Sequence, residues 1–279
     1  MSHQSHTPGV LATLDPEIAD RLLSRRAAIT KGATTSGVVM AGLRMGTVPA
    51  ALAALSTSAF GQSGLPTAVI GVLNFALKLE YLEAEFYNRG IAAANLIPAA
   101  DRNIFLTIQG HENTHVDYLK GALGSSARPK PTFDYSYGNG SGTGPFADVF
   151  TNYATFKAVA QAFEDTGVRA YKGQAPTLQP YKDVLQVALS IHSVEARHAA
   201  EVRRLRGNFA DMEPNEGWIT RSITDIPGTE AVYAGDDTTM EGGLDVTTIT
   251  TVAAKEITEA FDEPLTMAQV LAIVDNFIV

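Results

Sequence analysis

Apolar residues recur at intervals of three and four positions along the middle of the chain, a pattern typical of amphipathic helices. The pattern predicts four long helices, at about 66–91, 98–123, 146–172 and 177–206. Pro66 lies at the start of the first, and Gly124, Gly173 and Gly207 follow the other three. Each predicted helix is long enough to take part in a helical bundle.

The connections between these helices differ in length. Short loops join the first helix to the second and the third to the fourth, which predicts two antiparallel hairpins. The connection at 124–145, "GSSARPKPTFDYSYGNGSGTGP", is rich in glycine, serine and proline and is not expected to hold regular structure. Because so long a crossover lets the second hairpin pack on the first, residues 62–209 are predicted to form an all-α four-helix bundle.

The composition shifts again over residues 210–279, where glycine, threonine and aspartate are frequent. Short amphipathic segments near the end predict a mixed C-terminal extension with short helices. The apolar face formed by Val270, Ile273, Val274 and Ile278 needs a surface to cover it. We therefore expect the extension to wrap on the bundle or to contact another protomer of a homo-oligomer.

Residues 1–61 have the pattern of an export signal. The pair Arg25 and Arg26 precedes a weakly apolar stretch rich in small residues, as in twin-arginine signals. Arg44 and Pro49 interrupt the stretch, so a stable membrane-spanning helix is not expected. The pattern predicts export by the twin-arginine translocation machinery to the periplasm or the medium. The alternative is an ordinary amphipathic helix of the domain.

Composition restricts the chemistry that the chain can perform. The 279 residues carry a net charge of −9, which argues against a nucleic-acid partner. The chain has no cysteine, which excludes disulfides, thiolate zinc sites and thiol nucleophiles. Any metal must therefore be held by carboxylates and imidazoles, which suits iron, manganese or zinc, or calcium or magnesium where oxygen ligands dominate.

An internal repeat gives both hairpins the same candidate residues. The first helix carries a Glu with a Tyr seven positions later, and the second carries Glu-x-x-His. The members are Glu80, Tyr87, Glu112 and His115 in one hairpin, and Glu164, Tyr171, Glu195 and His198 in the other. The offsets nearly agree, since 112 − 80 = 32 and 195 − 164 = 31. Helix pitch places residues three or seven apart on one face, so each Tyr is predicted to support the site from its own helix.

Four carboxylates and two imidazoles are predicted to converge in the bundle core. Buried like charges cannot all stay ionised without compensation. Two divalent cations would supply four positive charges, and hard oxygen donors with imidazole suit iron or manganese, with zinc as a further candidate. The structural alternative is that the Glu-x-x-His pairs form buried salt bridges in a metal-free bundle.

Neighbouring residues offer alternatives to these assignments. Glu83 is the alternative to Glu80 on the first helix. His111 is predicted to point about 100° away from Glu112, towards the surface or an interface. His192 lies one turn before the second Glu-x-x-His and is a candidate for supporting a ligand from outside the metal shell.

Residues 66–206 resemble the ferritin-like superfamily, in particular the exported ferritin-like proteins grouped with desiccation-related proteins. The residues that carry the resemblance are the six candidate ligands Glu80, Glu112, His115, Glu164, Glu195 and His198. The resemblance implies that Glu112 and Glu195 bridge two metal ions. It also implies that Glu80 with His115 completes one metal's shell, and that Glu164 with His198 completes the other's.

The resemblance also implies a class of activity. We expect oxidation of Fe(II) with O₂ or peroxide, or peroxide disproportionation of the manganese-catalase type. The leader and the C-terminal extension have no counterpart in a cage-forming ferritin, which argues against iron storage in such a cage. The alternative is a non-enzymatic protein for stress or desiccation protection, or an envelope protein, that uses the bundle as a scaffold.

Overall fold

The computed structural model describes residues 65–207 and 216–279, and the predicted signal with Arg25 and Arg26 lies outside them. The four long helices are α1 (Thr67–Ala92), α2 (Arg102–Leu123), α3 (Tyr153–Leu178) and α4 (Lys182–Arg206). Helix α1 packs against α2, α3 packs against α4, and α1 also contacts α3. The prediction of an all-α bundle of two hairpins is confirmed. Within the two described stretches, no helix combines the length and apolarity needed to cross a membrane.

The predicted bounds of the third helix are wrong at both ends. Helix α3 begins at Tyr153 because the Asn152 side chain caps it, accepting from the amides of Ala154 and Thr155 at 3.0 and 3.5 Å. It continues through Gly173 to Leu178, and α4 consequently begins later than predicted. Gly173 serves packing instead, because a Cβ there would lie 2.0 Å from the Leu265 carbonyl oxygen.

The crossover between α2 and α3 is largely irregular, as predicted, but it is anchored at several points. A 3₁₀ turn spans Gly124–Ser126. The Tyr135 hydroxyl donates to the Leu82 carbonyl oxygen at 2.7 Å, and Phe133 forms an isolated antiparallel bridge with Ile278. The crossover is therefore held by α1 and by the C-terminal end of the chain.

The C-terminal extension consists of short elements. They are α5 (Glu230–Tyr233), the antiparallel strands β1 (Met240–Glu241) and β2 (Leu244–Asp245), a 3₁₀ turn at Val246–Thr248, α6 (Ala254–Thr258), α7 (Met267–Val274) and a 3₁₀ turn at Asp275–Phe277. Helix α7 packs on α3 and buries Val270, Ile273 and Val274. The extension thus covers part of the bundle, one of the two roles that its apolar face predicts.

Buried charged side chains of the second hairpin, Arg169 and Asp165, hold the extension in place. Arg169, on α3, is 1% exposed and donates to the carbonyl oxygens of Val232, Ala234 and Glu263. Arg203, on α4, pairs with Asp165 of α3. The hydroxyl of Tyr233 donates to the same carboxylate at 2.8 Å. The extension thus supplies hydrogen-bond partners for Arg169 and for Asp165, which lowers the cost of burying these charged groups.

Candidate metal centre

The six candidate ligands lie together in the centre of the bundle, with at least one from each long helix. The side chains of five are completely buried, and His198 is 4% exposed. One donor atom per residue lies within 4.8 Å of the others in each of two groups. The groups are Glu80, Glu112, His115 and Glu195, and Glu112, Glu164, Glu195 and His198. Two residues, Glu112 and Glu195, are shared by both groups.

The shared glutamates face the two histidines with different oxygens. His115 Nδ1 lies 3.3 Å from Glu112 Oε2 and 3.0 Å from Glu195 Oε1. His198 Nδ1 lies 2.9 Å from Glu112 Oε1 and 3.4 Å from Glu195 Oε2. Each group is completed by a glutamate of the first helix in a hairpin: Glu80 Oε2 at 3.1 Å from His115, and Glu164 Oε2 at 3.3 Å from His198. A carboxylate that offers one oxygen to each side has the arrangement of a bridging ligand.

The donor atoms fit around metal ions better than they fit each other. Among the described residues, five buried donor atoms make no well-formed hydrogen bond, although imidazole nitrogens and carboxylate oxygens lie only 2.9–3.4 Å apart: Glu112 Oε1, Glu164 Oε2, both Glu195 oxygens and His198 Nδ1. Buried polar atoms are nearly always paired. Ligands at about 2.0–2.2 Å from one ion and at right angles to each other would be about 3 Å apart. The observed spacings match that value, so the residues fit a dinuclear metal site.

The cluster binds protons when no cation balances it. Burial raises the pKa of Glu80 to about 8 and the pKa of Glu164 well above its ordinary value. Burial acts to lower the pKa values of His115 and His198, but the facing carboxylates outweigh it and raise both. At Glu112 burial acts to raise the pKa, and the two imidazoles outweigh it and lower it. Metal ions would therefore compete with protons at this site.

The two tyrosines of the repeat each reach across to the other hairpin. Tyr87, on α1, donates its hydroxyl hydrogen to Glu164 Oε1 on α3. Tyr171, on α3, donates to Glu80 Oε1 on α1. The sequence places each tyrosine on the same face as the glutamate of its own helix. The structure adds that each tyrosine bonds to the glutamate of the other hairpin. Each hydrogen bond leaves the second oxygen of the glutamate free to face the cluster.

The two outer histidines, His192 and His111, have different partners. His192 Nδ1 is 3.0 Å from the Val168 carbonyl oxygen, so its partner is the backbone of α3. His111 is half-buried, and its Nδ1 lies 2.9 Å from His198 Nε2. The sequence predicts a surface or interface position for His111; the residue is partly exposed, and its contact with His198 was not predicted. The turn of 100° takes His111 off the carboxylate face, but its ring still reaches the outer nitrogen of His198.

A fifth carboxylate, that of Glu83, is buried beside the cluster in addition to Glu80. Its side chain is 3% exposed, and burial, together with the charges of Glu195 and Glu80, raises its pKa well above the ordinary value. The equivalent position on α3, three after Glu164, is Gly167. A Cβ at Gly167 would lie 3.3 Å from Glu83 Oε1, so the glycine leaves space for this carboxylate. The replacement of Glu by Gly within the repeat is the signal that could have identified it.

Comparison with known proteins gives the family. A family model for the ferritin-like domain matches residues 68–208, which is about half of the chain. No curated protein matches the chain at a significant level. The matched span contains the four long helices almost in full and all six members of the buried cluster. The chain belongs to the ferritin-like domain family.

Proposed function

We propose that the cluster binds two divalent transition-metal ions and that the protein oxidises Fe(II) with O₂ or peroxide, or disproportionates peroxide if the metal is manganese. The observation that carries the proposal is the position of Glu112 and Glu195, each with one oxygen near His115 and the other near His198. By this arrangement the two ions would share both carboxylates. The family match supports the same assignment.

The residues of the chain would each contribute in a defined way. Four glutamates offset the charge of two divalent ions, and the two imidazoles complete the ligand set. Tyr87 and Tyr171 hold the outer glutamates in place through their hydrogen bonds. Burial keeps bulk water from the donor atoms. When bound, a pair of iron ions supplies two electrons to O₂ or peroxide, and a pair of manganese ions exchanges two electrons between peroxide molecules.

Metal content and turnover of the native protein test the proposal directly. Protein folded in its native host should contain about two equivalents of iron or manganese, read by elemental analysis. Aerobic Fe(II) oxidation and peroxide consumption are then assayed on the same preparation. Fully folded protein without a stoichiometric transition metal would contradict the proposal. It would favour the metal-free reading, in which Glu–His ion pairs stabilise a non-enzymatic protective or envelope protein.

We further propose that the protein is exported by the twin-arginine machinery, which carries folded proteins and would accept one that had already bound its metals. The support is the pair Arg25 and Arg26 ahead of the weakly apolar stretch. Replacing both with Lys should retain the protein in the cytoplasm, as measured by cell fractionation. Arg44→Lys, within the same leader, is the matched control and should not affect export. Normal secretion of the double variant would refute this route.

A further inference from the structure

The internal repeat is broken next to one of the two Glu-x-x-His motifs. The residue immediately before Glu112 is His111, and the residue immediately before Glu195 is Val194. Only one hairpin therefore carries an additional imidazole at this position. Its ring contacts His198, a candidate ligand from the opposite hairpin.

The two imidazole rings have the geometry of an in-plane hydrogen bond. His111 Nδ1 and His198 Nε2 are 2.9 Å apart, and the ring planes differ by 16°. The ring centres are 5.1 Å apart, close to the largest separation that this nitrogen–nitrogen distance allows. The two nitrogens therefore lie almost on the line between the ring centres, where the lone pair of one points at the hydrogen of the other.

This contact determines which nitrogen of His198 is available for a metal ion. The Nδ1 atom of His198 faces Glu112, Glu164 and Glu195, so it is the atom that would bind the metal. A neutral imidazole that binds through Nδ1 carries its hydrogen on Nε2. His111 Nδ1 is in place to accept that hydrogen.

The corresponding nitrogen of the other histidine lacks such a partner. His115 Nδ1 faces the carboxylates, and His115 Nε2 is buried without a hydrogen-bond partner among the described residues. Leaving a buried donor unpaired is unfavourable. A hydrogen-bond acceptor on the outer nitrogen of a ligating histidine fixes its orientation and strengthens it as a ligand.

We propose that His111 is a positioning residue that makes the two metal positions unequal. By accepting the Nε2 hydrogen of His198, it favours the position formed by Glu112, Glu164, Glu195 and His198. That position binds its ion first and more tightly than the position that contains His115. This inference rests on the proposed dinuclear site and goes beyond it.

Titration of the metal-free full-length protein with Co²⁺ under anaerobic conditions tests the inference. Calorimetry and the visible absorption of the bound ion should resolve two binding steps in the wild-type protein. His111→Val removes the acceptor and should weaken the tighter step about 10- to 100-fold. His111→Asn keeps an acceptor, its Oδ1, near the lost nitrogen and should retain most of the affinity. His192→Asn, on a histidine bonded to the α3 backbone, is the matched control and should change neither step.

The results separate this inference from the proposed function. Wild-type protein that binds two ions in equal steps would overturn the inference alone, as would a His111→Val variant with unchanged affinities. Equal weakening in His111→Val and His111→Asn would assign His111 a packing role and would also overturn it. If His111→Val fails to fold, as judged by loss of helical circular dichroism, His111→Phe replaces it. Phe is a larger side chain that also lacks a hydrogen-bond acceptor, so it should weaken the tighter step in the same way. No Co²⁺ binding by the wild-type protein would overturn both proposals.

Discussion

The two hairpins of the bundle contribute matching donors to the buried cluster, but different residues surround those donors. Each supplies a glutamate from its first helix and a Glu-x-x-His from its second. Around the donors, the α1–α2 hairpin adds Glu83 and His111, where the α3–α4 hairpin has Gly167 and Val194. The comparison shows that the repeat is kept in the donors and in the tyrosines that support them, and is lost at these two neighbouring positions.

The C-terminal extension adds a second difference between the hairpins. The extension bonds to two buried charged side chains of the α3–α4 hairpin, Arg169 and Asp165. Asp165 also pairs with Arg203 of the same hairpin. Asp165 is next to Glu164 in the chain, so this contact lies beside the cluster. Residues outside the matched family domain therefore contribute hydrogen bonds to the α3–α4 hairpin beside the cluster.

The largest effect is expected from the shared glutamates. Glu112→Ala or Glu195→Ala removes a donor from both metal positions and should reduce the metal content from two equivalents to less than one. Glu80→Ala or Glu164→Ala removes a donor from one position and should leave about one equivalent. Elemental analysis after anaerobic loading and dialysis measures the difference. Glu201→Ala, at a partly exposed residue that pairs with Arg204, is the control. Two equivalents retained by Glu112→Ala would show that the ligand assignment is wrong.

The next largest effect concerns the attachment of the extension. Arg203→Ala leaves the Asp165 carboxylate buried without its cation, which should lower the free energy of unfolding by about 3–5 kcal/mol. Urea unfolding of the metal-free protein measures the change. Arg204→Ala breaks an ion pair whose arginine side chain is 61% exposed, so its loss should be at most about 1 kcal/mol. Similar losses in both variants would contradict the role given to the buried pair.

The crossed tyrosine contacts predict a paired, smaller effect. Tyr87→Phe removes the hydrogen bond to Glu164, and Tyr171→Phe removes the one to Glu80. Each variant should weaken one metal-binding step about tenfold and leave the other nearly unchanged. Tyr87→Phe should weaken binding at the position that contains Glu164, and Tyr171→Phe binding at the position that contains Glu80. Combining each variant with Glu80→Ala or Glu164→Ala shows which position is affected. An equal effect on both binding steps would contradict the proposal that each tyrosine supports a single glutamate ligand.

Metal affinity should increase with pH. Glu80, Glu164 and both histidines have raised pKa values in the metal-free cluster, so they hold protons that metal binding must displace. The metal-free state binds more protons than the metal-bound state, and each displaced proton contributes up to about tenfold in apparent affinity per pH unit. Co²⁺ titrations between about pH 6 and about pH 8 measure the slope, since the pKa of Glu80 is about 8. An affinity independent of pH would contradict this protonation of the cluster.

The smallest effect is expected at Glu83. Burial raises the pKa of Glu83 well above its ordinary value, which favours the protonated carboxyl, and Glu83→Gln imitates that form. We expect metal content to be unchanged and the free energy of unfolding to shift by less than about 1 kcal/mol. Loss of one metal equivalent in this variant would instead make Glu83 a ligand and would break the match between the two hairpins.

The four helices, their pairing into hairpins and the donor residues of the cluster could be predicted from the amino-acid sequence. Periodicity identifies which face of its own helix a residue occupies, and the repeat of Glu80 with Glu164 shows that the two hairpins are equivalent. Those two signals were sufficient because helix pitch is fixed by backbone geometry and does not depend on the partner. The bounds of α3 were not accessible in this way, since Gly173 lies within the helix to let Leu265 approach.

The contacts between side chains of different helices could not be predicted and come from the tertiary structure. It paired each tyrosine with the glutamate of the other hairpin, turned Nδ1 of both histidines towards the carboxylates, and placed Glu83 in the space beside Gly167. It also brought His111 to the outer nitrogen of His198. These contacts depend on the rotation and separation of packed helices, which the sum of many small packing terms determines. The pattern within one helix does not determine how that helix is rotated against its neighbours. The sequence therefore identifies the donors, and the packing determines their partners.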